Sequence, residues 1–170
     1  MLIIFIGLLG KIDLICFASC IEGLFFFGAF AYVYFLRSKG LLHGLASGTN
    51  WVFRDESCHM NFSFAVIQKA REEEPELFTK DLEQKIIQMI DEAIECEKVF
   101  IQETFTNKEG EPIKLGELNG NTVMKYIKSC ANGILNMLHN TVEKKQIQDL
   151  YSDAENPFGF MIATDLVAKS

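Results

Sequence analysis

Ile21-Glu22-Gly23-Leu24-Phe25-Phe26-Phe27-Gly28-Ala29-Phe30-Ala31-Tyr32-Val33-Tyr34-Phe35 sets one charge, Glu22, among apolar and aromatic side chains. A carboxylate buried bare costs several kcal/mol or more, so Glu22 is neutral, paired or bound to a cation. Downstream, Arg54-Asp55-Glu56-Ser57-Cys58-His59 offers a second carboxylate and an imidazole three positions apart. Residues at that spacing project from one face of a helix, so Glu56 and His59 can grip one ion together.

Glu22 lies 34 residues before Glu56, far enough to sit on a preceding antiparallel helix and add a third ligand across a bundle. A lone Glu-x-x-His is weak evidence, because the spacing arises often on solvated helix faces. Joined to a carboxylate in an apolar run, it follows the ligand logic of a carboxylate-bridged di-iron bundle. Such a bundle takes one Glu from a helix and a Glu-x-x-His from its neighbour, and then repeats the pair. This sequence carries the pair once.

The remaining pattern reads as helical. A buried helix is expected over 14–37, closed by a basic last turn and Gly40. A connection over 41–46 leads to a long helix over 47–73, with Ser47 as its N-cap and Pro75 preventing continuation. Thr79 opens a third helix, on which Leu82, Ile86, Met89, Ile90, Ala93, Ile94 and Phe100 recur at helical spacing up to Phe105. Its charged residues Glu83, Asp91, Glu92, Glu95 and Glu97 read as a solvated outer face. A polar loop over 107–120 precedes a last long helix over 121–140, and the tail to Ser170 is mixed. His43 and His139 have no partner at ligand spacing and read as non-ligands.

Composition narrows the class. The net charge of −7 argues against nucleic acid as a partner. The five cysteines, Cys16, Cys20, Cys58, Cys96 and Cys130, form no Cys-x-x-Cys pair. They read as reduced thiols in a cytoplasmic setting, not as a disulfide frame or a zinc site. Residues 14–36 hold Glu22 as their only charge before Arg37 and would pass a hydropathy test for a membrane span. The charge and the clustered aromatics favour instead a bundle helix buried all round, with no membrane. The apolar start lacks the basic leader of a signal peptide, and Asp13 interrupts it. The whole of 1–170 reads as one partial domain.

The stretch from Ile21 to Ala65 resembles the second metal-ligand half of the small, radical-bearing subunit of class I ribonucleotide reductase. The motifs are Glu22-Gly23-Leu24-Phe25-Phe26, Arg37-Ser38-Lys39-Gly40-Leu41 and Arg54-Asp55-Glu56-Ser57-Cys58-His59, in order. Asn156-Pro157-Phe158-Gly159-Phe160-Met161 resembles the family's Asn-Pro-Phe-x-x-Met segment. The likeness runs from about residue 15 to 170. It implies an all-α, ferritin-like di-iron helical bundle, here partial, about half of the family domain and its C-terminal half.

By the same resemblance, Glu22, Glu56 and His59 are the protein ligands of one iron, with manganese as an alternative metal. Asp55 matches a carboxylate linking an iron-bound histidine to the long-range radical path. Phe26, Phe30 and Val52 match the apolar lining of the radical site. The bland reading for Asp55 is a buried ion pair with Arg54 or a neighbour, and for the other three ordinary core. The family's first half supplies an Asp, a second Glu-x-x-His and the radical-forming Tyr. Residues 1–21 hold Asp13 but neither His nor Tyr, so nothing there stands in for them.

The resemblance therefore implies a small-subunit fragment of ribonucleoside-diphosphate reductase, supporting conversion of ribonucleotides to deoxyribonucleotides. Its implied partners are the large subunit, a second small subunit and the missing N-terminal half. An inactive remnant or interaction-only fragment is the alternative, and a small membrane protein the third reading.

Overall fold

The computed structural model describes residues 8–139 and 150–155. The Asn156–Met161 motif lies outside the described residues. Helix α1 (Leu8–Cys16) passes into a π-helical segment, Phe17–Phe25, and then into α2 (Phe27–Ser38) without a loop. Helix α3 (His43–Glu73) returns alongside them. After a single 3-10 turn at Pro75–Leu77 come α4 (Lys80–Thr104), a hairpin of β1 (Lys114–Leu115) and β2 (Leu118–Asn119), and α5 (Gly120–His139).

Local chemistry accounts for most boundaries. Thr79 is the N-cap of α4, its Oγ1 accepting a hydrogen bond from the Leu82 amide at 3.3 Å. Asn119 and Thr122 cap α5 reciprocally: each backbone amide donates to the other's side-chain oxygen at 3.1 Å. The hairpin falls within the expected polar loop; Gly116 supplies the positive φ of +65° that its two-residue turn requires.

Helix α3 starts at His43, four residues before the expected Ser47 cap. Its N-cap is Leu42, held in the left-handed region at φ 51° and offering no side-chain acceptor. The chain turns at Gly40 and Leu42, both at positive φ, and so enters the helix early.

The core is one continuous cluster drawn from every long element. Leu24, Phe27, Phe30 and Phe35 meet Phe53, Met60, Phe64 and Ile67 of α3, Ile90 and Ile94 of α4, and Tyr126, Ile127 and Ile134 of α5. At its centre Phe27, Phe30 and Phe53 pack edge-to-face with centroids 5.5–5.8 Å apart. Each large apolar side chain withdrawn from water contributes about 1.5–3 kcal/mol, which is what holds helices of weak intrinsic propensity together. Arg71 fastens α3 to α5 by donating to the Leu138 carbonyl at 2.7 Å, and its guanidinium stacks over Phe78.

Two expectations are corrected here. The apolar first helix is not buried all round: Phe17, Ile21, Phe25, Phe26 and Tyr32 are exposed along one side. Asp13–Ser38 is long and apolar enough to cross a membrane by length and composition, and 61% of its most apolar window is buried against the other helices. Glu97 does not belong to the solvated face of α4. It is buried, with Oε2 lacking a hydrogen-bond partner among the described residues. Gly28 of α2 makes room for it, since a Cβ there would sit 3.0 Å from that oxygen.

Candidate metal centre

Glu22 projects from the π-helical segment toward α3, where Glu56 and His59 share one face, as their spacing requires. One ligand atom from each of the three lies within 4.8 Å of the others. Nδ1 of His59 is 3.4 Å from Oε2 of Glu22 and 3.2 Å from Oε2 of Glu56. The carboxylates form the floor, at 7% and 15% side-chain exposure, and the imidazole is open at 58%.

Backbone packing fixes this arrangement. The wide π-helical turns carry Glu22, and the next residue, Gly23, is closely packed. A Cβ at position 23 would lie 2.7 Å from Ile134 Cδ1 and 3.1 Å from both Met60 Sδ and the Ala18 carbonyl oxygen, so a side chain there would require these neighbours on α5, α3 and the segment itself to shift. Interruptions of this kind are frequent at functional sites in helices. The sequence carries no signal for it.

Burial raises the Glu22 carboxyl above its ordinary value, and the adjacent Glu56 adds to the effect, while His59 opposes it. The His59 imidazole is raised in turn by hydrogen bonding to Glu56 and then to Glu22. The three groups thus favour positive charge at their common focus. A proton satisfies that demand, and so does a metal ion. Two carboxylate oxygens and an imidazole nitrogen form a donor set suited to iron or manganese, without the thiolates that select softer metals. The residues fit the group.

The match to known proteins follows this geometry. Residues 10–156 match the family model described as ribonucleotide reductase, small chain. The chain belongs to that family. It is 32% identical over 158 residues to the ribonucleoside-diphosphate reductase small subunit of Dictyostelium discoideum, covering 92% of this chain and 40% of the relative. It is 29% identical over 152 residues to the small chain of Nicotiana tabacum, covering 89% and 40%. The small chain of Spisula solidissima is 31% identical, with 89% and 34% covered. The chain thus spans about two fifths of the length of these relatives, or less. Its helices fit the all-α, ferritin-like bundle of the small-chain family.

The other residues singled out in the sequence are dispersed around the three. Phe30 is buried in the aromatic core, stacked on Phe26 at 6.1 Å, and Phe26 is half-exposed. Val52 is exposed one turn before Glu56. Asp55 pairs with Arg54 at 3.3 Å on the surface, so the pair exists but is not buried. His43 is exposed at the start of α3. His139 ends α5. The acidic residue that sequence reasoning missed is Glu97, whose carboxyl is pushed up to about 7 by burial.

Proposed function

We propose that this chain serves as the second metal-ligand half of a ribonucleotide reductase small subunit, an oxidoreductase of deoxyribonucleotide synthesis. One observation carries the reading: Glu22, Glu56 and His59 converge within 4.8 Å in a chain that matches the small-chain family over residues 10–156. In this reading they hold one iron of a di-iron centre, with manganese as the alternative. When bound, such a centre supplies oxygen activation, and the oxidising equivalent is stored on a tyrosine. The chain's own residues fix the metal's position and compensate its charge.

Glu22 and Glu56 supply two negative charges from different helices, so the bound metal ties the first helical rod to α3. Phe26, Phe30 and Val52 line the apolar side of the centre. Asp55 is the carboxylate that leads from it to the radical path, once the surface pair with Arg54 is exchanged for a histidine partner. Helices bearing the complementary Asp, Glu-x-x-His and Tyr cover the open side of His59, and these constitute the first half of the subunit. The assembled partners are the large subunit and a second small subunit, in the cytoplasm.

Co-expression with a chain carrying that first half tests this reading. The purified complex is expected to hold two metal ions per pair, and Glu56→Ala to remove them. A complex that forms but retains its metal in Glu56→Ala would refute the assignment.

A further inference from the structure

The metal group opens onto an apolar face that nothing in the described residues covers. Glu22 is flanked by Ile21 and Phe25, and Phe17 continues that line one π-helical turn earlier; all three are more than a third exposed. On α3, Val52 lies four residues before Glu56, and Phe62 lies three after His59. Phe62 is 70% exposed and Val52 46%. Residues at these spacings share a helix face with the ligands. A stripe of aromatic side chains around a half-open ligand set is costly to leave in water.

The ligand count determines what fits there. A carboxylate-bridged two-metal bundle needs a carboxylate helix and a Glu-x-x-His helix, each present twice. This chain supplies one of each, so two copies related by a two-fold axis supply the full set. Charge gives the same answer. Two facing groups bring together four carboxylates, Glu22 and Glu56 from each copy, and two divalent cations neutralise them. Without the cations the same four carboxylates repel across the apolar contact. A two-fold contact sets the same patch of each copy against the other, so the apolar side chains of one copy meet those of its partner and each ligand group meets the other.

We propose that, where no first-half helices occupy this face, two copies of the chain pair through it around two divalent metal ions, each copy completing the other's site. The proposal rests on the reading of Glu22, Glu56 and His59 as metal ligands. It goes beyond that reading in making a second copy of this chain the source of the missing ligands.

Native mass spectrometry and sedimentation equilibrium of the purified 170-residue chain, with Mn²⁺ or with a chelator, test it. The expected result is a 19.3 kDa monomer in chelator and a species of twice that mass in Mn²⁺, holding one ion per chain. Phe62→Glu leaves a surface position on a helix, so helicity measured by circular dichroism should be retained while the dimer fraction falls by about tenfold or more. Glu56→Ala should remove both the metal and the dimer. A monomer that binds Mn²⁺ at saturation would overturn the pairing while sparing the ligand assignment, leaving the face to first-half helices. A dimer that persists unchanged in chelator would also overturn it. A chain that binds no Mn²⁺ would overturn the pairing and the ligand assignment together.

Discussion

Nδ1 of His59 lies 3.4 Å from Oε2 of Glu22, across 37 positions of sequence, and Glu56 closes the triangle from the same helix as His59. Two of these groups come from one helix face and need no tertiary fold to meet. The third is brought in by packing of the π-helical segment on α3. A cation bound at the focus would join them, so metal affinity and the packing of these elements would be linked.

Removing Glu56 should weaken Mn²⁺ binding far more than removing Glu109, an exposed acid in the loop after α4. Glu56→Ala leaves His59 with only Glu22, on another element. Isothermal titration should show at least about a tenfold loss of affinity for Glu56→Ala, or about 1.4 kcal/mol, and no measurable loss for Glu109→Ala. Equal affinities in the two variants would contradict the ligand assignment.

Gly23→Ala should destabilise the chain by about 1–3 kcal/mol, the usual range for overpacking a filled core. The added methyl would stand 2.7 Å from Ile134 Cδ1, with the Ala18 carbonyl and Met60 Sδ each at 3.1 Å. Ile134 Cδ1 and Met60 Sδ end flexible side chains and can shift at some cost in packing, whereas the Ala18 carbonyl belongs to the backbone and must give by a few tenths of an ångström. Gly44→Ala, on the surface start of α3 with nothing near its Cβ position, is the matched control. Urea unfolding of the two variants measures the difference.

Glu97 predicts a pH dependence of defined sign. Burial raises its carboxyl from 4.5 to about 7, so the folded chain holds a proton that the unfolded chain releases. The native state binds more protons over that window, and the Glu97 contribution to stability therefore falls as pH rises from about 4.5 to about 7. Glu97→Gln keeps the shape and cannot ionise. It should gain on the wild type by on the order of 2 kcal/mol between about pH 5 and about pH 8. Parallel stability curves for the two proteins would show that Glu97 is not held neutral.

Thr79→Ala should cost about 1 kcal/mol, because the Leu82 amide loses its acceptor at the first turn of α4. Thr79→Ser should recover most of that loss in thermal unfolding.

The parts of this fold legible in the sequence are those set by local rules. Thr79 and the spacing of Leu82, Ile86, Ile90 and Ile94 placed α4 to within a residue, since a cap and a helical period act within a few positions. The convergence of Glu56 and His59 was legible for the same reason, since they fall at i and i+3, and Glu22, which packing brings to them, stands out as a charge in an apolar run. What escaped depends on distant partners. Glu97 looks like its neighbours Glu92 and Glu95 in sequence, and only the glycine at position 28, on another helix, gives its carboxyl a buried place. The π-helical register of Phe17–Phe25 and the left-handed Leu42 likewise come from packing and turn geometry, with no residue type that announces them.

Anomalous diffraction from crystals of the chain grown with Mn²⁺ tests the metal assignment most directly. The expected map has a manganese peak bounded by the Glu22 and Glu56 carboxylates and the His59 imidazole, and the peak is lost in Glu56→Ala crystals. Manganese bound only at other carboxylates, with Glu22 still joined to His59 by a shared proton, would contradict the assignment of these three residues as a metal site.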